Sequence, residues 1–194
     1  MTQAETHARS LFFALQPDED VAMKLRHAAQ LAKAARRFSG QGRPAHTYHL
    51  TLYFLGRHVI GDDGEFPRGL VSGAIAAATS INLPAFDFVL DRVERLGRSD
   101  KAPCVLRAAA LLDASLRRLH ATLGEALRSG GLGRYVEERP FVPHVTVGYS
   151  QTRFDPLQLE QPIAWPVREF VLLESHIGKS LHERLAAVPL AHAR

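Results

Sequence analysis

Residues 48–56 read Tyr48-His49-Leu50-Thr51-Leu52-Tyr53-Phe54-Leu55-Gly56, an apolar stretch broken only by a histidine and a threonine two positions apart. Its length, its aromatic and aliphatic content and its closing glycine predict a strand. Side chains alternate faces along a strand, so His49, Thr51 and Tyr53 are expected on one side and Leu50, Leu52 and Phe54 on the other. The same pattern recurs 95 positions later as His144-Val145-Thr146-Val147, followed by Gly148 and Tyr149. Ten histidines and eight threonines in 194 residues give about 0.4 chance copies of His-x-Thr, so two copies in two apolar strands are unusual.

Outward from these motifs, Ser10–Leu15 predicts a strand, and Pro17-Asp18 opens a helix expected to run to about Phe38 on the spacing of Val21, Leu25, Ala28, Ala29, Ala32 and Ala35. Residues 39–47 read as a loop rich in Gly, Pro and polar groups. Leu70–Ala78 is a second expected helix, Phe86–Leu96 and Pro103–Ala109 a pair of strands, and Leu111–Leu127 an amphipathic helix stopped by Ser129-Gly130-Gly131. After the second motif strand come an expected loop over 150–162 and strands at Val167–Glu174 and Arg184–Val188. Each half thus offers a strand, a helix and a His-x-Thr strand. That layout predicts two similar lobes around a cleft, without a linker long enough to separate them.

The composition is globular, with 46% hydrophobic and 23% charged residues, and no apolar run approaches the roughly 18 residues of a membrane span. Residues 1–9 are polar and read as a flexible leader to a single domain over 10–194. They lack the apolar centre of a secretory signal. One cysteine, Cys104, cannot build a disulfide framework or a multi-thiolate metal site, and a cytoplasmic setting is expected. The net charge of +4, carried mostly by arginine, suits an anionic substrate and equally suits a solvated basic surface.

Two histidines can divide the proton work of a displacement at phosphorus, one taking a proton from the nucleophile and one giving a proton to the leaving oxygen. A threonine two residues on can donate its hydroxyl to a nonbridging oxygen of the same phosphate. With both imidazoles near their ordinary pKa of about 6.5, the rate should follow a bell-shaped curve with pH. The spacing alone is also compatible with half-buried strand histidines hydrogen-bonded to threonine.

Ser10–Leu15, residues 48–56, Arg139-Pro140-Phe141-Val142-Pro143-His144-Val145-Thr146-Val147 and Phe170–Ser175 together resemble the two-histidine phosphoesterases, and within them the RNA 2′,3′-cyclic phosphodiesterases also known as 2′-5′ RNA ligases. The resemblance implies a bilobal α/β (α+β) fold, two pseudo-symmetric lobes of mostly antiparallel sheet with flanking helices around a central cleft. It implies opening of an RNA 2′,3′-cyclic phosphate to a 2′-phosphate, as in tRNA processing, with His49 as proton donor, His144 as proton acceptor, and Thr51 and Thr146 on the phosphate. Reversible 2′-5′ ligation, with a 5′-hydroxyl end replacing water, uses the same pair of proton transfers. No cofactor, metal or membrane is expected. The partner is an RNA with a cyclic phosphate end, such as a tRNA fragment, or a cyclic nucleotide, bound by a monomer.

Relatives often end the second motif with an arginine where this chain has Tyr149, so cationic charge must come from elsewhere, with Arg139, Arg153 and Lys179 as candidates. His182 stands where relatives carry a tyrosine. Tyr53 has the strand parity to stack on a base, whereas Phe141 reads as core, one of Phe12 and Phe13 could face the cleft, and His46 and His58 lack partners for a metal set. Two alternatives remain open: a phosphoesterase acting on 2′-5′ oligonucleotides or small cyclic nucleotides, and a noncatalytic module that binds RNA ends.

Overall fold

The computed structural model describes residues 7–35, 42–60, 64–108 and 114–191. Eight strands are formed: β1 (His7–Leu15), β2 (Leu50–Ile60), β3 (Phe86–Arg95), β4 (Ala102–Arg107), β5 (His144–Ser150), β6 (Leu157–Val167), β7 (Glu169–His176) and β8 (Leu181–Pro189). Three helices accompany them: α1 (Glu19–Ala34), α2 (Leu70–Thr79) and α3 (Ala114–Leu127). β1 already pairs with β2 at His7 and Arg9, so the strand takes in the end of the stretch expected as a leader.

The strand order is β6-β3-β4-β5-β2-β1-β7-β8, with every neighbouring pair antiparallel. Two four-stranded halves, β5-β4-β3-β6 and β2-β1-β7-β8, mirror each other in order. Among the described strands they meet through a single register pair, Leu50 opposite Val145. The halves of the fold are therefore not the two halves of the sequence. β1 and β2 join the C-terminal hairpin β7–β8, while β5 joins β3, β4 and β6. The helices cross over as well: α1, which follows β1, packs on β3, β5 and β6, and α3, which follows β4, reaches β2.

Local chemistry explains the elements. The Asp18 side chain caps α1 by accepting from the Val21 amide at 2.8 Å, and Val21, Leu25, Ala28, Ala29 and Ala32 form its buried stripe. Leu116, Leu119, Leu123 and Leu127 do the same for α3. The expected end of α1 near Phe38, the residue Ala109 and the start of α3 at Leu111 lie outside the described residues.

One expectation fails. Residues 157–162, assigned to a loop, belong to β6. Pro162 and Pro166 cannot donate to a ladder, but β6 is an edge strand, where proline is tolerated, and Ile163, Trp165 and Val167 still alternate into the core. Trp165 packs on Phe88 of β3 with ring centroids 5.1 Å apart. Among the described residues no helix is long and apolar enough to cross a membrane.

Candidate active site

Among the described strands, the pairing that joins the two halves of the sheet is also what assembles the site. Leu50 and Val145 are the middle residues of the two motifs, so the antiparallel register sets His49 diagonally across from His144, with Thr51 and Thr146 completing the square. Thr51 and Thr146 are half-buried, and neither hydroxyl is spent on a hydrogen bond to another described residue.

Both imidazoles are held in the same way. His49 Nδ1 donates to the carbonyl of Thr47 at 2.9 Å, and His144 Nδ1 donates to the carbonyl of Val142 at 2.7 Å. A carbonyl only accepts, so Nδ1 carries the proton in each ring and Nε2 is left for chemistry. The acceptor lies two residues upstream in both cases.

The surroundings differ. His49 lies against Phe12 and His182, each with a ring centroid 4.9 Å away, on a face lined by the small apolar cluster Phe12, Ala14, Val171 and Leu173. Burial there lowers the His49 pKa to about 4, with the Thr47 carbonyl opposing and His182, Arg43 and His144 adding to the depression. His144 sits across from Arg107, which is ion-paired with Glu94. Burial lowers its pKa too, against the Val142 carbonyl, with Arg107 lowering and Glu94 raising it. The expectation of two imidazoles near 6.5 is thus corrected: both rings are neutral in the free protein at neutral pH because both are desolvated.

Parity fails for Tyr53. β1 pairs Ala14 with Thr51 but Phe13 with Tyr53, so β2 carries one extra residue, Leu52, and the side chains of Tyr53 and Phe54 change face; a second irregularity between Phe54 and Arg57 shifts the register again. Tyr53 is buried, stacks on His120 of α3 at 4.2 Å, and belongs to the main core. Phe54, paired with Phe12, takes the cleft side and is 44% exposed. β5 repeats the device: Val105 pairs with Thr146 but Cys104 with Gly148, so Val147 is the extra residue and Tyr149 returns to the cleft side. The fourth residue of both tetrapeptides is the one the ladder skips.

The cleft between the halves has a volume of about 680 Å³ and is lined by Gly42, Arg43, Lys101, Tyr149, Gln151 and His182, among others. Arg43 is a residue that sequence reasoning passed over as loop. Gly42 forms an isolated bridge to Gly148, and the Arg43 amide donates to the Val147 carbonyl at 2.8 Å, which clips the loop onto the second motif strand. The signal available was its position in the polar run just before His49. Arg139, Arg153 and Lys179 do not line this cleft. Arg139 is exposed and paired with Glu137 at 3.2 Å, Arg153 faces a separate depression with Arg95 and Arg98, and Lys179 lies in the β7–β8 turn.

Of the other residues weighed, Phe12 faces the site and Phe13 packs on Phe170 in the core. Phe141 stacks on His120 at 3.9 Å. His46 and His58 bond to the carbonyls of Ser180 and Leu55. Cys104 is buried, which raises its pKa to about 12. Among the described residues one group has the spacing of metal ligands: Glu174, His176 and Glu183. Arg9 already lies 2.6 Å from the Glu174 carboxylate, so this is an ion-pair network on the side of β7 that faces Leu11 rather than Phe12.

A profile of the 2′-5′ RNA ligase superfamily matches residues 17–179. The chain belongs to the 2′-5′ RNA ligase superfamily. Among curated members, the RNA 2′,3′-cyclic phosphodiesterase of Geobacillus stearothermophilus is 29% identical over 185 residues, covering 85% of this chain. The chain spans 55% of the length of that relative. Two solved structures share the superfamily fold. E. coli LigT complexed with 3′-AMP is 23% identical, with a TM-score of 0.71 over 94% of this chain and 98% of LigT. The protein TT0787 of Thermus thermophilus is 23% identical, with a TM-score of 0.72 over 95% of this chain and 100% of that one.

Proposed function

We propose that this chain opens 2′,3′-cyclic phosphate ends of RNA to 2′-phosphates, with His144 as general base and His49 as general acid. The observation that carries the reading is the matched tethering of the two imidazoles. Each Nδ1 proton is committed to a backbone carbonyl two residues upstream, and the Leu50–Val145 register brings the two free Nε2 sides and two free threonine hydroxyls to one place. Simple structural histidines have no need of that duplication. Membership of the superfamily and the G. stearothermophilus relative support the same substrate class.

In the proposed reaction His144 Nε2 takes a proton from water as its oxygen attacks phosphorus. The bond between phosphorus and the 3′ oxygen breaks, and that oxygen takes a proton from His49. Thr51 and Thr146 donate hydrogen bonds to the nonbridging oxygens, where charge builds in the transition state. The products are a 2′-phosphate and a free 3′-hydroxyl. Run in the same direction with a 5′-hydroxyl end in place of water, the same transfers form a 2′-5′ linkage, and run backwards they cleave one to a cyclic phosphate and a 5′-hydroxyl.

The acid must be protonated while the base is not, yet His49 holds a proton weakly in the free protein. An anionic phosphate between the two rings supplies the missing stabilisation of the imidazolium, so substrate binding brings the proton with it. The test is hydrolysis of a nucleoside 2′,3′-cyclic phosphate by the purified protein in the presence of a chelator. A 2′-phosphate is expected, and His49→Ala and His144→Ala should each lower kcat by about 10²- to 10⁴-fold. A 3′-phosphate product would exchange the two roles, and near-wild-type turnover in either variant would end the mechanism.

A further inference from the structure

The wall of the cleft beyond Thr146 has the composition of a strand-binding groove. The skipped residue Val147 brings Tyr149 onto the same face as Thr146, three residues further along β5, which at strand rise is about 10 Å. Lys101 holds its ammonium 5.7 Å from the Tyr149 ring centroid. Arg43 lines the cavity from the loop that β5 carries, and Gln151 and the β7–β8 turn complete it. No carboxylate is among the described lining residues, and neither Lys101 nor Arg43 is ion-paired with a described residue. Two uncompensated cations beside an aromatic ring attract an anion that has a flat ring attached. The space is far larger than one phosphate requires, and it lies beside the imidazoles rather than between them.

We propose that this cavity is a second nucleotide subsite, in which Lys101 and Arg43 hold the phosphodiester preceding the cyclic end and Tyr149 stacks on the adjoining base. The inference rests on the hydrolytic reading above and makes single-stranded RNA ends of at least two nucleotides its preferred substrates. Free cyclic mononucleotides leave the subsite empty. Lys101 is exposed and outside the catalytic square, so its replacement tests the subsite without disturbing the proton carriers.

The experiment compares kcat/KM for a dinucleotide ending in a 2′,3′-cyclic phosphate with kcat/KM for the corresponding nucleoside cyclic phosphate, at two salt concentrations. The wild-type chain should favour the dinucleotide by about tenfold or more, and its salt dependence on a log–log plot should be steeper by about 0.7 for the additional phosphate. Lys101→Ala and Tyr149→Ala should each reduce that preference several-fold, and Lys101→Glu should erase it. A wild-type ratio near one, or a preference that survives Lys101→Glu, overturns the proposal. If the chain cleaves neither ester, the hydrolytic reading fails separately. Calorimetric binding of a 3′-phosphorylated dinucleotide against a 3′-phosphorylated mononucleotide, with the same variants, then decides the subsite under the same two outcomes.

Discussion

A histidine that donates Nδ1–H to a carbonyl is fixed in tautomer and orientation but not in charge. At His49 the contact with Phe12, itself part of a small apolar cluster, and burial in the fold remove water, which lowers the pKa of the ring to about 4. An anion bound at the site must reverse part of that shift. Titration followed by NMR should therefore show His49 moving upward by a unit or more when inorganic phosphate or a nucleotide 3′-phosphate is added, with His144 moving less. In kinetics, the basic limb of kcat should lie at higher pH than that of kcat/KM, because the first reports the complex and the second the free protein. A His49 resonance indifferent to phosphate, or coincident limbs, would place the anion elsewhere.

At the scale of the strand, the skipped residues Leu52 and Val147 decide which side chains face the cleft and which face the core. Tyr53 packs under α3, and its ring fills the space left by Gly124, where even a Cβ would collide with it. Tyr53→Ala should cost about 3–5 kcal/mol of stability, the usual range for deleting a buried aromatic ring. Phe54→Ala should change stability by less than about 1 kcal/mol and act on KM instead. Denaturant unfolding of the two variants checks the contrast, and equal losses would refute the assignment of faces.

These two strands also show what a sequence can carry. The histidines, the threonines and the strands around them were legible because residue type and period both point to them. The extra residue was not, since a single ladder slip leaves no mark in composition, and alternation continued across it predicts Tyr53 where Phe54 belongs. Prolines hid the first half of β6, because a proline excludes a central strand but not an edge, and edge position is a property of the whole sheet. Arg43 was hidden for a similar reason: what makes it part of the site is the bridge between Gly42 and Gly148, a contact between residues more than a hundred positions apart.

Across the whole molecule, four imidazoles are partly desolvated by the fold. His49, His120 and His182 are each held down to about 4, first of all by burial, and His144 is lowered as well. Unfolding returns these rings to water and an ordinary pKa of about 6.5, so between pH 6.5 and 4 the unfolded chain binds more protons than the folded one. The stability they contribute is therefore complete above pH 6.5 and is lost progressively as the pH falls to about 4. Thermal unfolding followed from pH 7 to 4.5 should show a falling Tm with proton uptake. His120 is the ring to remove, because it lies between Tyr53 and Phe141 and apart from the square of His49, Thr51, His144 and Thr146, and a phenylalanine preserves its stacking. Whatever His120→Phe does to stability at pH 7, it should flatten the decline by about a third, one of the three strongly shifted protons being gone. A decline as steep as in the wild type would mean that the acid sensitivity of the fold comes from its carboxylate pairs, such as Arg9 with Glu174, rather than from its buried histidines.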